Sequence, residues 1–349
     1  MGARTRFAPA LRLAALALPV VLLLVTSCTT GNPYDTLTHR GEVSATLTDL
    51  YRLPFWIAVV VFFAVEGLLL FAVLRFRDRP GREREGLPVQ THGNTRLEIG
   101  WTIAPALVLA VIAVPTISTI VKLSREPANP LQVRVVGHQW WWEFVYTVNN
   151  QPVYVANEMH VPVGRRVLVS IESVDVIHSF WVPNLAGKMD AVPGHLNKMW
   201  FDAQAPGNYW GECAEFCGES HALMRFRVIA QPEADFNQWL ANQARPAAPA
   251  AAAVQRGEQL FMGNACIGCH AIEGTRAQGR TAPNLTHFGS RERFGADRRD
   301  STPENLTAWI KKPSSIKPGA LMPAFGQQNG GALSDDDISA IVAYLQSLK

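Results

Sequence analysis

Residues Gly211 to Met224 read GECAEFCGESHALM and place Cys213, Cys217, His221 and Met224 on one short segment. Thiolate, imidazole and thioether are soft or borderline donors, which favour copper or zinc over magnesium or calcium. A single electron-transfer copper uses one Cys with two His and an axial Met, but here there are two Cys. A structural zinc would take two Cys and two His, leaving Met224 without a purpose. Two thiolates at this spacing can instead bridge two copper ions, each capped by one His. Met224 would bind one copper weakly, and a backbone carbonyl could serve the other. The second histidine must come from elsewhere. His178, at the end of a predicted strand in VDVIHSFWVP, is one candidate. His138, His160 and His195 compete with it on chemistry alone.

The surroundings of this loop read as β-structure. VRVVGHQWWWEFVY, RRVLVSIES, HSFWVP, KMWFDA and LMRFRVIA are rich in Val and aromatic residues, and Asn149-Asn150, Pro162-Val163-Gly164 and Pro206-Gly207 punctuate them as turns. Regularly spaced short strands predict an all-β sandwich or barrel over 125–232. Read as one strand, the triple tryptophan would turn Trp140 and Trp142 to one side and Trp141 to the other.

Upstream, the chain is written for a membrane. Residues 1–27 combine early arginines with an apolar run, as a secretory signal does. They end in Val25-Thr26-Ser27-Cys28, which resembles a bacterial lipoprotein box with Cys28 as the lipidated residue. A helical hairpin is predicted over 45–124, with spans at about 54–74 and 99–123, each near the ~20 residues that cross a bilayer. The loop between them carries Arg75, Arg77, Arg79, Arg82, Arg84 and Arg96. Such a loop belongs on the cytoplasmic side, which puts the rest of the chain outside. The net charge of +3 on 349 residues gives no basic face for nucleic acid.

Downstream, a Pro/Ala linker is predicted over 241–253, with ARPAAPAAAAV at 244–254 as a semi-rigid spacer. Residues 254–349 read as a small α-domain. It contains CIGCH, the attachment signature of a c-type haem. Cys266 and Cys269 would bond covalently to the vinyl groups and His270 would ligate iron. A second axial ligand is then needed, and Met/His pairs are usual in electron-transfer cytochromes c. Met322, in PGALMPAFG, is the candidate; Met262 reads as a packing residue and His287 as a surface residue. SDDDISAIVAYLQSLK offers Ser334 as a cap, acids in the first turn and one apolar face, a terminal helix.

Taken together, His178-Ser179-Phe180-Trp181-Val182-Pro183, Cys213-x3-Cys217-x3-His221-x2-Met224, GHQWWWEF and the hairpin resemble subunit II of haem–copper cytochrome c oxidases over roughly 45–232. The haem motif is similar to the caa-type branch, in which a class I cytochrome c is fused to that subunit. The resemblance implies a multidomain membrane protein: a two-helix transmembrane hairpin, an all-β cupredoxin domain and an all-α cytochrome c domain. It implies a dinuclear copper A centre on His178, Cys213, Cys217, His221, Met224 and the carbonyl of Glu215. The Glu215 side chain would reach a magnesium shared with subunit I. Phe216, Trp181 and Phe180 would keep water from the copper. Trp140 would lie where electrons arrive.

The implied activity is an electron relay. A cytochrome c or cytochrome bc complex would donate to the haem, the haem to copper A, and copper A to subunit I, where oxygen is reduced and protons pumped. The implied partners are subunit I, the other oxidase subunits and the bacterial inner membrane, with the soluble domains on the periplasmic face. No acid–base or nucleophile constellation sits on this chain. The same relay could feed a copper A nitric oxide reductase. A quinol oxidase subunit would normally lack the copper ligands, and a zinc or copper-handling module would need no haem domain.

Overall fold

The computed structural model describes residues 33–77, 90 and 92–349. The signal segment, Cys28 and Arg79, Arg82 and Arg84 lie outside the described residues. Helix α1 runs Glu42–Phe76 and α2 Thr95–Leu123, both long and apolar enough to cross a membrane. Their large side chains, Phe62, Leu68 and Val114 among them, are exposed, as lipid or neighbouring subunits would require. Prolines 54, 105 and 115 lie inside these helices. The first helix starts at Glu42, ahead of the expected Pro54, because its first turn docks on the β-domain. Ser44 N donates to Leu185 O at 3.1 Å, and Glu42 N to the Asp202 carboxylate at 2.6 Å. Asp202 thus places a negative charge at the helix N-terminus from a distant segment.

Ten strands follow: β1 Leu131–His138, β2 Trp141–Val148, β3 Gln151–Ala156, β4 Glu158–Pro162, β5 Val167–Ser173, β6 His178–Trp181, β7 Lys188–Ala191, β8 Asn197–Phe201, β9 Gly207–Cys213 and β10 Arg225–Gln231. They form two five-stranded sheets, ordered β3-β2-β1-β5-β8 and β4-β10-β9-β6-β7. The β1/β5 and β4/β10 pairs are parallel and the rest antiparallel. Aromatic rings fill the space between the sheets. Phe180 stacks on Phe226 at 4.7 Å, and Trp142 meets both rings edge-on at 5.7 Å.

The tryptophan stretch is a hairpin rather than one strand. β1 ends at His138, and Gln139 and Trp140 form the turn into β2. Trp142 enters the core, whereas Trp141 stacks on His138 at 4.1 Å. Helix α3, Glu233–Gln243, also departs from expectation, since it extends into the predicted linker. Phe236, Trp239 and Leu240 form its apolar face, and Trp239 stacks on His160 at 3.9 Å.

The C-terminal domain contains α4 Gln255–Gly263, α5 Cys266–Cys269, α6 Pro303–Lys311 and α7 Asp335–Ser347. α4 and α7 cross at Gly257, where a Cβ would lie 2.0 Å from Ala340 O, so only glycine permits the approach. Ser334 caps α7 by accepting from Asp337 N, and Ser334 N donates to the Asp337 carboxylate, a capping-box arrangement. The Pro/Ala segment is no free spacer. Ala247 N donates to Glu273 O at 2.9 Å, and Ala247 and Ala250 pack on the α-domain core.

Candidate metal and haem centres

β9 and β10 are ladder partners, and Cys213 N donates to Met224 O at 3.0 Å where they part. The ten residues between therefore form a closed loop whose two ends lie side by side. β6 pairs with β9, with Phe180 opposite Cys213, which brings the start of β6, His178, beside the loop. Sheet register thus joins residues 35 positions apart.

The donor atoms converge. Cys213 Sγ and Cys217 Sγ are 3.7 Å apart; His178 Nδ1 lies 3.9 Å from Cys213 Sγ, and His221 Nδ1 lies 3.6 Å from Cys217 Sγ. Met224 Sδ is 3.8 Å from Cys217 Sγ, and Glu215 O is 3.2 Å from Cys213 Sγ. Every residue of the expected set is present, one side chain or carbonyl each. His178, Cys213, Cys217 and Met224 are buried. The hydrogen bond between the two thiols lowers the Cys213 pKa, and the same bond together with burial raises that of Cys217. A buried thiolate beside a second thiol and two imidazole nitrogens suits a soft cation.

An outer set of contacts holds these ligands. His178 Nε2 lies 2.7 Å from the Asp175 carboxylate. That oxygen can only accept, so the neutral ring carries its proton on Nε2 and turns the Nδ1 lone pair toward Cys213. Burial opposes charge on His178, but the bonds to Asp175 and Cys213 outweigh it and its pKa is raised. Gln139 Nε2 and Trp140 Nε1 both donate to Cys217 O, at 2.8 and 2.9 Å. Asp175 also accepts from Gln139 N at 2.6 Å. Sequence reasoning missed Asp175, although a carboxylate three residues before His178 was a usable signal.

Of the competing histidines, His138 stacks on Trp141, His160 bonds Gln231 at 2.8 Å, and His195 is exposed; none joins the cluster. Phe216 does not shield the site. It is 78% exposed, its ring meeting His221 edge-on at 5.8 Å, because the loop turns it outward. Phe180 is buried and Trp181 half-buried. The Glu215 carboxylate lies 4.0 Å from Lys188 Nζ.

The second centre is an apolar crevice in the α-domain. Cys266, Cys269, His270 and Met322 all line it. His270 Nδ1 donates to Pro283 O at 2.7 Å, which fixes the tautomer and frees Nε2 as a ligand. Burial lowers the His270 pKa, favouring the neutral ring a metal needs. Trp309 Nε1 lies 3.2 Å from Met322 Sδ. Two free thiols, a buried imidazole and a thioether around an apolar cavity suit a covalently attached haem. Met262 packs in the core as expected. His287 is buried rather than on the surface, its Nε2 bonded to Arg245 O at 2.9 Å. Trp140 and Trp141 close one side of the crevice, so the β-domain hairpin forms part of its wall.

Three family matches tile the chain. Residues 42–119 match "Cytochrome C oxidase subunit II, transmembrane domain", 149–231 "Cytochrome C oxidase subunit II, periplasmic domain" and 254–349 "Cytochrome c". A "Cytochrome c oxidase subunit 2" of Alkalihalophilus pseudofirmus is 37% identical over 341 residues, 96% of each chain. One from Bacillus subtilis is 36% identical, covering 96% of this chain and 97% of its own. A "Quinol oxidase subunit 2" of Bacillus spizizenii is 33% identical but covers 65% of this chain and 71% of its own.

Proposed function

The chain belongs to the cytochrome c oxidase subunit II family, in the form that carries its own cytochrome c domain, and on that premise we propose that it is the electron-relay subunit of a terminal oxidase. It is a component of an oxidoreductase complex whose oxygen-reducing site is on another subunit. The observation that carries the relay is the convergence of two thiols, two imidazoles, one thioether and one carbonyl on the β9–β10 loop. That donor set supports the reading over a quinol oxidase subunit, which would not need it.

In this reading His178, Cys213, Cys217, His221, Met224 and the Glu215 carbonyl hold copper A, and Cys266, Cys269, His270 and Met322 hold haem c. Bound there, the two groups supply one-electron carriers between an external donor, such as cytochrome c or a cytochrome bc complex, and subunit I. The chain's own residues orient and insulate these sites. Burial of both cysteines excludes water, and Asp175 and Pro283 fix the two imidazoles. Trp140 touches both sites: it lines the haem crevice and donates to Cys217 O, so it offers a short path between them. Phe216 is exposed beside His221, and Val174, Val176 and Ile177 are exposed beside Asp175 and His178. These apolar side chains flank the copper loop and offer a surface for another subunit. The arginine-rich loop between α1 and α2 favours its placement on the cytoplasmic side, which sets the soluble domains on the periplasmic face.

In the purified complete oxidase, photoreduction of the haem should be followed by its reoxidation as the copper absorbance bleaches. Cys217→Ser should leave the haem reduced, and Trp140→Leu should slow reoxidation while the copper spectrum stays unchanged. Reoxidation at the wild-type rate in Cys217→Ser would refute the relay.

A further inference from the structure

The two soluble domains are joined by more than the Pro/Ala segment. Arg227, on β10, is 4% exposed and meets three carboxylates. Its Nη2 donates to Glu158 on β4 at 2.9 Å, within the sandwich. The other two partners belong to the α-domain. Nη1 donates to Glu292 at 3.0 Å, and Nε lies 3.0 Å from Asp297 in an ion pair without an aligned hydrogen bond. The Asp297 side chain is 1% exposed and also pairs with Arg293 at 3.2 Å. A buried guanidinium shared between domains is strongly destabilised if its partners withdraw, since each charge would be left without compensation.

A second contact lies at the mouth of the crevice. Lys317 is buried and donates to Trp140 O, and Ser220 Oγ donates to Pro318 O. Gly319 has φ +70°, and a Cβ there would lie 2.7 Å from the Trp140 ring. The residue is therefore glycine where the α-domain backbone touches the tryptophan. The Arg280 guanidinium sits 4.4 Å over the Tyr154 ring at a third point.

Resting on the relay reading above, we propose that the cytochrome domain occupies a fixed seat on the β-sandwich, held by the ion cluster around Arg227, and that Arg227 is a positioning residue keeping the haem crevice against Trp140. A domain searching on a flexible tether would meet its partner through exposed, screenable charges. Here Arg227, Glu158 and Asp297 are buried, where salt screens them weakly, and only Glu292 of the cluster is exposed. The seat should therefore hold as salt rises.

The test is amide hydrogen exchange on the complete oxidase, read at residues 139–142 and 317–320. In wild type these segments should be protected equally at about 0.1 M and about 1 M salt, over which the Debye length falls from ~10 Å to ~3 Å. Arg227→Met should lose at least about tenfold in protection there, with α4 and α7 unchanged and haem and copper absorbance retained. Because Arg227→Met leaves buried carboxylates unpaired and can impair folding, a triple variant, Arg227→Met with Glu158→Gln and Asp297→Asn, removes Arg227 together with the charges of its two buried carboxylate partners. It should show the same loss. Unchanged protection in the triple variant, or salt-dependent protection in wild type, overturns the fixed seat. Residues 139–142 and 317–320 border both sites, so spectra and exchange are read on the same wild-type sample: protection with missing haem or copper spectra counts against the relay alone, and lost protection with both spectra present counts against the seat alone.

Discussion

Asp175→Asn should loosen the proposed copper ligands without touching one of them. Asp175 Oδ1 lies 2.7 Å from His178 Nε2 and accepts from Val176 N at 2.7 Å, while Oδ2 accepts from Gln139 N at 2.6 Å. An asparagine has one acceptor oxygen for these three donors. If that oxygen serves His178 and Val176, the new amide faces the Gln139 N–H donor to donor. If it serves Gln139, His178 loses the partner that fixes its tautomer. Either arrangement leaves a partly buried polar group unsatisfied, at about 1–3 kcal/mol. Removing an outer partner of a metal-bound histidine typically weakens binding about 10–100-fold. Copper affinity in the complete oxidase should fall by that factor in a chelator competition, with the haem spectrum unchanged. Asp175→Asn binding copper as tightly as wild type would refute the argument that this carboxylate orients His178.

Two further outcomes follow from the geometry. Met322→Ala should lower the haem potential, because Met/His ligation raises it, and should remove any sulfur-to-iron absorption Met322 would supply; a redox titration showing an unchanged potential would count against Met322. Burial pushes the Glu143 carboxyl up to about 7, so between its ordinary 4.5 and about 7 it holds a proton in the folded chain but not in the unfolded one. Its contribution is therefore greatest below 4.5 and declines as pH rises to about 7. Glu143→Gln should flatten the pH dependence of Tm over that window and raise Tm at pH 8.

The donor loop was legible in the sequence because its donors are local: a strand end and the loop that follows it carry all but one. His178 was legible as a candidate, yet only the β6/β9 register separates it from His138, His160 and His195. The haem motif is local for the same reason. The tryptophan stretch was misread because its one glycine, Gly137, lies inside β1, and Gln139-Trp140 themselves are not turn-forming residues. Helix α3 was legible in principle, since Phe236, Trp239 and Leu240 sit at helical spacing, but residues 233–240 fell between the predicted β-domain and the Pro/Ala segment and were given no element. Phe216 illustrates a further limit: loop composition does not say which way an aromatic side chain turns. The Arg227 cluster could not be read from the sequence, because Glu292 and Glu158 lie 65 and 69 positions away, Asp297 lies further still, and each is an ordinary charged residue by composition.

The central claim is that one chain carries a dinuclear copper centre and a haem. The measurement that tests it most directly is the copper and haem content of the complete oxidase with the EPR spectrum of the subunit II copper, compared between wild type and Cys217→Ser. The account predicts a wild-type hyperfine pattern from one unpaired electron shared equally over two coppers, lost in Cys217→Ser, with covalent haem on the same polypeptide in both. A localised single-copper signal, or zinc at His178, Cys213, Cys217 and His221, would contradict it.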